Sequence, residues 1–208
     1  MKETRDLLVE GIEELGFKYT DARIEAFLLY LSELKKWNRA YNLTALKTDR
    51  EIIIKHFLDS LLFAKALPGN ISSLADIGSG AGFPGLPIKI LLPHLSIFLI
   101  EPTQKKAAFL RHICSRLQLD GIEIIDKRIE EIRDIKVDLA VTRALFSVGE
   151  FVKKTKSILN EKGILILSKG PGLEKELEGL DRSRMSIADF KLPFEEGVRH
   201  IVTVGPST

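Results

Sequence analysis

Cysteine is nearly missing from this chain: Cys114 is the only one among 208 residues. A lone thiol excludes an intramolecular disulfide and a multi-cysteine zinc site. Its place in the apolar series Leu110, Ile113, Cys114, Leu117 reads as packing rather than nucleophilic chemistry. Long hydrophobic runs are missing too. The longest, such as Ile97–Ile100 and Ile164–Leu167, are strand-sized, well short of the roughly 20 residues that span a bilayer. The opening Met1-Lys-Glu-Thr-Arg-Asp carries both charge signs where a secretory leader needs an apolar segment. No repeat, low-complexity tract or long Pro/Gly/Ser linker interrupts the sequence. The expectation is a cytoplasmic protein, monomeric, with no membrane and no metal partner.

An excess of one charge is also lacking, the net being only +2. Its distribution is uneven. Residues 35–55 hold Lys35, Lys36, Arg39, Lys47, Arg50 and Lys55 against Asp49 and Glu51. Residues 103–116 hold Lys105, Lys106, Arg111 and Arg116 with no acid. Each stretch is therefore +4, and the remainder of the chain is −6. Such stretches suit a localised polyanion footprint; solvated helix faces with no partner explain the same count.

What is plentiful is apolar patterning, with 45% hydrophobic residues beside 29% charged ones, enough for a packed core and a soluble surface. Leu7, Leu8, Ile12 and Leu15 have helical spacing, and Gly16 can stop that helix. Thr20 or Asp21 can cap a second helix with Ile24, Phe27, Leu28, Leu31 and Leu34 on one face. Thr48-Asp-Arg-Glu51 has the form of a capping box. It opens a third helix through Ile53, Phe57, Leu61 and Ala64, closed by Pro68-Gly69. From Ser72 onward, short apolar runs alternate with helical stretches. The strand candidates are 74–77, 97–100, 122–125, 137–142 and 164–168. This alternation predicts a mostly parallel sheet covered on both faces. Segments 186–192 and 198–204 alternate polar and apolar residues and predict an antiparallel hairpin at one edge. The organisation expected is a helical extension over 1–70, then a doubly wound α/β domain over 71–208.

The sharpest motif is Asp76-Ile-Gly78-Ser-Gly80-Ala-Gly82-Phe-Pro-Gly85. It follows the first strand, so it lies at the carboxyl edge of the sheet, where ligands bind in such folds. Gly80, Gly82 and Gly85 match the dinucleotide pattern, which is weak evidence alone. Asp76 argues against that reading. A pyrophosphate favours free N–H groups without a nearby carboxylate, whereas a carboxylate suits the cationic amino-acid end of S-adenosylmethionine. Glu101, 25 residues further on, ends the second strand and can accept ribose hydroxyls of either cofactor. A nicotinamide-dependent oxidoreductase using the same loop remains the alternative.

Several further segments carry a resemblance. Lys36-Trp-Asn38-Arg-Ala-Tyr41-Asn42-Leu-Thr44, His56-Phe-Leu-Asp59-Ser60, the Asp76–Gly85 loop, Lys105-Lys106-Ala-Ala-Phe109-Leu110, Arg143-Ala144, Lys169-Gly170 and Arg199-His200 occur in this order. Together they closely resemble the glucose-inhibited-division-B family across nearly the whole chain. That family comprises bacterial small-subunit ribosomal RNA guanine-N7 methyltransferases. The resemblance implies a Rossmann-like class I methyltransferase sheet with N-terminal helices, and S-adenosylmethionine as methyl donor. It implies that Gly78 and Phe83 contact the donor, and that Ile129 and Glu130 lie beside its adenine. Here the chain departs from the family pattern, with Lys127-Arg128-Ile129-Glu130 where many relatives have Gly-Arg-Ala-Glu. The expected partner is small-subunit ribosomal RNA, free or in an assembling subunit. A non-catalytic RNA-binding assembly factor is the third reading.

Ring nitrogen seven of guanine has a free lone pair and no proton. Its methylation needs orientation and a dry pocket, so the lack of a convincing Ser–His–Asp or Cys–His set is expected. Arg143, after a buried strand, is placed to contact the donor carboxylate, the base oxygen or a phosphate; the alternative is an ion pair with Asp138 or Glu150. Asn38, Tyr41 and Asn42 form a loop set able to read and stack an unstacked base, or the asparagines merely cap the loop. Arg143 and Asn42 are the expected catalytic pair. His56 and Asp59, at i and i+3, can hydrogen bond and brace that loop. Lys105, His112 and Arg116 share a helix face suited to phosphates or to bare solvent. Lys169 is a further substrate contact to test, and His94 reads as a turn residue.

Overall fold

Residues 2–143 and 145–206 are described by a computed structural model; Ala144, half of the Arg143-Ala144 match, lies outside them. Three helical stretches precede the sheet. Helix α1 (Lys2–Glu14) ends at Gly16, whose φ of 77° is the left-handed stop that glycine tolerates. Helix α2 (Asp21–Tyr41) is capped by Thr20, whose side chain accepts from Arg23 N. It runs further than expected, through Asn38 and Tyr41, so those residues lie on its last turn rather than in a loop. Asn42 ends it in the left-handed conformation, φ 50° and ψ 52°.

The third stretch departs from a simple α-helix. Helix α3 (Asp49–Ile52) opens with the Thr48–Glu51 capping box, and α4 (Asp59–Lys65) ends the stretch. Between them Ile53–Leu58 is a π-helix. An apolar spacing of three and four cannot reveal an i→i+5 interval, because Phe57 and Leu61 remain buried either way. The stretch is enclosed by the other helices and the sheet. Gly11 of α1 lets Leu58 approach so closely that a Cβ there would collide with it.

Strands β1 (Ser73–Ile77), β2 (Ser96–Ile100), β3 (Ile122–Ile125), β4 (Val137–Arg143) and β5 (Leu159–Lys169) pair in parallel. Strand β7 (Val198–Val204) lies antiparallel to β5, and β6 (Met185–Lys191) pairs with it at the edge. The order is β3-β2-β1-β4-β5-β7-β6. Strand β5 begins earlier than its apolar run, because Leu159 pairs with Val137 before a register shift. Helices α5 (Gly85–Leu91), α6 (Gln104–Arg116), α7 (Val148–Thr155) and α8 (Leu173–Leu177) cover the faces. A single apolar cluster runs from Leu8 of α1 through Phe57 to Leu99, Val141 and Ile201 of the sheet. A second cluster, including Ile77, Phe151 and Leu167, fills the opposite face. Cys114 is buried, and burial pushes its thiol up to about 12, so it is inert packing. Among the described residues no helix is long and apolar enough to cross a membrane.

The order reverses direction between β1 and β4, which start the two wings of the sheet. Such a switch point leaves a crevice outside the carboxyl ends of the strands. The loop after β1 and Arg143 at the end of β4 both face it.

Candidate active site

The glycine loop is fixed from below. Gly78 N and Ser79 N both donate to Ile100 O at the end of β2, at 2.8 and 3.1 Å. Gly78, Gly80 and Gly82 have φ of 73°, 61° and 101°, where L side chains are strained. Gly85 N donates to Asp76 Oδ2 at 2.8 Å. A Cβ on Gly85 would lie 2.6 Å from Leu99 Cδ2 and 2.9 Å from that oxygen, so the approach requires glycine. The hydroxyl of fully buried Tyr30 donates to Ala81 O, tying α2 to the loop.

The two acids differ from the open carboxylates that the sequence suggests. Asp76 is sealed beneath the loop. Its Oδ1 is a buried side-chain oxygen without a partner, and burial lifts the carboxyl to about 7 against the pull of Gly85 N–H and Arg143. Glu101 is also buried. Its Oε2 accepts from Gly80 N and its Oε1 from Thr103 N, both at 2.9 Å. Two acceptances leave lone pairs on each oxygen for hydroxyl donors. A bare acidic oxygen below the loop, a second carboxylate with spare lone pairs, and open space beside Gly80, where a Cβ would meet nothing nearer than Gly78 O at 3.9 Å, fit a cationic adenosyl donor.

Beside the loop, residues from five elements and the segment after α2 form one hydrogen-bonded chain. Asn38 Oδ1 accepts from Thr44 N at 2.9 Å, the loop-capping alternative of the sequence reading. Thr44 Oγ1 meets His56 Nε2 at 2.7 Å. His56 Nδ1 lies 2.8 Å from Arg143 Nη2. A guanidinium only donates, so Nδ1 accepts and Nε2 carries the proton toward Thr44. Burial and the Arg143 charge lower the His56 pKa to about 3, keeping the ring neutral. Arg143 Nη1 donates to Lys55 O at 2.8 Å and Asp59 Oδ2 at 3.2 Å. Asp59 Oδ1 then accepts from Arg199 Nε of β7 at 2.7 Å. The π-helical segment therefore brings His56 and Asp59 together through Arg143 and not through a direct bond between them. Arg143 pairs with neither Asp138 nor Glu150; those acids hold Ser72 and Ser73, and the N-terminus of α7. The Phe83 ring stacks on His56, centroids 4.4 Å apart, with the guanidinium carbon of Arg143 5.3 Å from its centroid. Three of Arg143's five N–H donors are thus engaged.

Other residues singled out in the sequence lie apart from this network. Tyr41 is 44% exposed with its ring 5.2 Å from Trp37; Asn42 is exposed beside it. Lys105 and Arg116 stand exposed on α6, whereas His112 between them pairs with Glu33 of α2 at 2.5 Å. Ile129 is buried in the second core cluster, which leaves only its backbone for a ligand. The Glu130 side chain turns to Lys154. Lys169 is buried, bonded to Phe146 O and 2.8 Å from Glu176, and so differs from a free substrate contact. Sequence reasoning gave Thr44 and Arg199 no role, although both stand inside the quoted motifs. It also overlooked Leu145, 53% exposed, whose side chain covers Gly78. An apolar residue directly after a strand-end pair was its only signal.

With that geometry in hand, the similarities to known proteins are specific. The sequence profile described as "GidB: rRNA small subunit methyltransferase G" matches residues 23–202. The chain belongs to the GidB family. A "Ribosomal RNA small subunit methyltransferase G" of Geotalea uraniireducens (strain Rf4) is 40% identical over 215 residues, covering 98% of each chain. One from Coxiella burnetii (strain RSA 493 / Nine Mile phase I) is 37% identical over 198 residues, covering 95% of this chain and 96% of the relative. Among solved structures, a ribosomal protein L11 methylase from Lactobacillus delbrueckii subsp. bulgaricus superimposes with a TM-score of 0.57 at 16% identity, over 74% of this chain and 79% of that one. A precorrin-6y C5,15-methyltransferase from Geobacter metallireducens GS-15 gives 0.56 at 18%, over 81% and 93%. At such identities they establish the fold, a Rossmann-like methyltransferase sheet. Family membership makes the chain an S-adenosylmethionine-dependent methyltransferase. The nicotinamide oxidoreductase and the non-catalytic assembly factor are set aside with it.

Proposed function

We propose that this enzyme methylates ring nitrogen seven of a guanine in bacterial small-subunit ribosomal RNA. The observation that carries the reading is the single network Asn38–Thr44–His56–Arg143–Asp59–Arg199 beside the glycine loop. S-adenosylmethionine, when bound, supplies an electrophilic methyl group on a sulfonium. Glu101 would hold its ribose hydroxyls, and Asp76, buried beneath the loop with Oδ1 unpartnered, would set the loop and its field against the cationic amino-acid end. Nitrogen seven needs no deprotonation, so the chain's task is to orient the base and exclude water. His56, neutral and with both ring nitrogens engaged, is unsuited to proton transfer and serves as a brace. Its bond fixes the Arg143 guanidinium over Phe83. The two Arg143 N–H donors without a partner among the described residues can bind the exocyclic oxygen of the guanine, leaving nitrogen seven uncovered for attack. Tyr41 and Asn42, exposed at the end of α2, supply a stacking ring and an amide for the unstacked base. The experiment is incubation of purified enzyme with methyl-labelled donor and small-subunit or large-subunit RNA, each naked or assembled. Label in the small-subunit RNA alone supports the reading; label confined to protein, or in both RNAs equally, overturns it.

A further inference from the structure

The strongest feature outside this site is the opposite edge of the sheet. A cleft of about 660 Å³ opens where β4 and β5 begin and β7 ends. It continues at Lys156 into a shallower depression along α7. Arg133, Lys136, Lys153, Lys154, Lys156 and Arg184 line the two, against only Glu130 and Glu161. The local excess of four positive charges is twice the net charge of the whole chain. Next to the lining residues, exposed Lys162 stands against exposed Asp134 and Glu131, and Asp138 is committed to Ser72, Ser73 and Asn160, so the excess is concentrated on the lining itself.

Pairing within the protein does not account for this excess. Among the described residues only Lys154 of the six cations has an ion pair, with Glu130. Lys136 is aimed by Ser157 O at 2.9 Å, and Arg184 by Pro206 O at 2.9 Å, both neutral acceptors. Lys153 and Lys154 complement the C-terminus of α7, but Arg133, Lys136 and Arg184 come from other elements. Unneutralised like charges repel one another and favour a polyanion. The six residue steps of β4 put this edge about 20 Å from Arg143, at ~3.3 Å per residue.

We infer that the amino-terminal edge of the sheet is a second RNA-backbone contact, gripping phosphates about 20 Å from the methylated base. This rests on the proposed RNA methyltransferase reading and specifies its substrate. The RNA must reach round the domain, as a folded subunit RNA does and an isolated short hairpin does not.

The test uses the whole protein with Arg133, Lys153 and Lys156 changed together to Glu, and a control with Lys153→Arg and Lys156→Arg. Affinity for deproteinised small-subunit RNA and for intact small subunits is measured across a salt series, alongside circular dichroism and calorimetric titration with S-adenosylmethionine. The triple variant should keep its fold and donor affinity. Its affinity for naked RNA should fall at least about tenfold, and its slope of log affinity against log salt should become shallower by roughly two. The Arg control should match the unmodified protein. An unchanged slope overturns the inference. Loss of affinity for subunits but not for naked RNA also overturns it, in favour of an acidic protein partner. Wild-type protein that binds RNA but transfers no methyl would contradict the activity instead, separating the two failures.

Discussion

At the scale of single residues, three side chains carry most of the account. Arg143 is pinned by Lys55 O, Asp59 and His56, which leaves two of its donors without a partner among the described residues. Losing a charge-assisted contact in a desolvated pocket costs on the order of 1.5–3 kcal/mol, about 10- to 150-fold in rate. Arg143→Ala should lower single-turnover methylation by that factor with saturating RNA and donor. Arg143→Lys should not restore it, since a point ammonium cannot donate to three fixed acceptors as a planar fork does. Near-normal turnover in either variant would remove Arg143 from the site. Asp76 and His56 act on stability with opposite signs. The Asp76 carboxyl is raised from 3.8 to about 7 by burial, so its contribution is full below its unfolded value and lost as pH rises through 7. The His56 ring is lowered from 6.5 to about 3 by burial and Arg143, so its contribution is present above 6.5 and lost as pH falls. Between about 4.5 and 6 the two slopes oppose each other. Asp76→Asn, which keeps a neutral side chain, removes the first slope only. Its stability relative to wild type should then fall by about 1.4 kcal/mol per pH unit on acidification, and parallel denaturant titrations at pH 6 and 4.5 would contradict this.

At the scale of elements, the π-helical segment is the part on which the site depends. It sets the Asp59 carboxylate between Arg143 and Arg199, although the two belong to strands β4 and β7. Asp59 is buried, and removing it leaves two guanidiniums facing each other. Asp59→Ala should cost about 3 kcal/mol, the low end of the usual range because the arginines are partly exposed. That corresponds to a melting temperature lower by roughly 6–12 °C; an unchanged one would show that the arginines have other partners. This element also marks the limit of what the sequence discloses. The Thr48 capping box, the strand runs and the glycine loop follow local rules, and the structure has them where those rules put them. The π-helical segment, the early start of β5 and the end of α2 beyond Asn38 depend on tertiary packing and hydrogen bonds that no local pattern records. The site divides the same way. Asp76, Glu101 and Arg143 could be named from motif and strand order, and Phe83 from the family resemblance. That Thr44 and Arg199 join them, and that Lys169 and His112 are tied up elsewhere, follows only from which elements meet.

At the scale of the molecule, the N-terminal helices and the sheet share one apolar cluster, from Leu8 and Phe57 to Leu99 and Ile201. Segments 1–70 and 71–208, distinct in sequence pattern, should therefore unfold together. Differential scanning calorimetry should show one transition with equal calorimetric and van't Hoff enthalpies. Two transitions would make the helical extension an independent unit. On the proposed reading the carboxyl edge of the sheet is the place of chemistry, and among the described residues no side chain there is placed to remove a proton from the base: His56 has both ring nitrogens engaged and Asp76 is sealed beneath the loop. That absence suits a nitrogen that carries none, and it makes the methylated atom the central claim. The direct measurement is nucleoside mass spectrometry of small-subunit RNA after reaction, with borohydride reduction and aniline cleavage to mark the modified residue. The account predicts one 7-methylguanosine, cleavable at a single site; a methyl on nitrogen one, nitrogen two or the ribose, uncleaved by aniline, would contradict it.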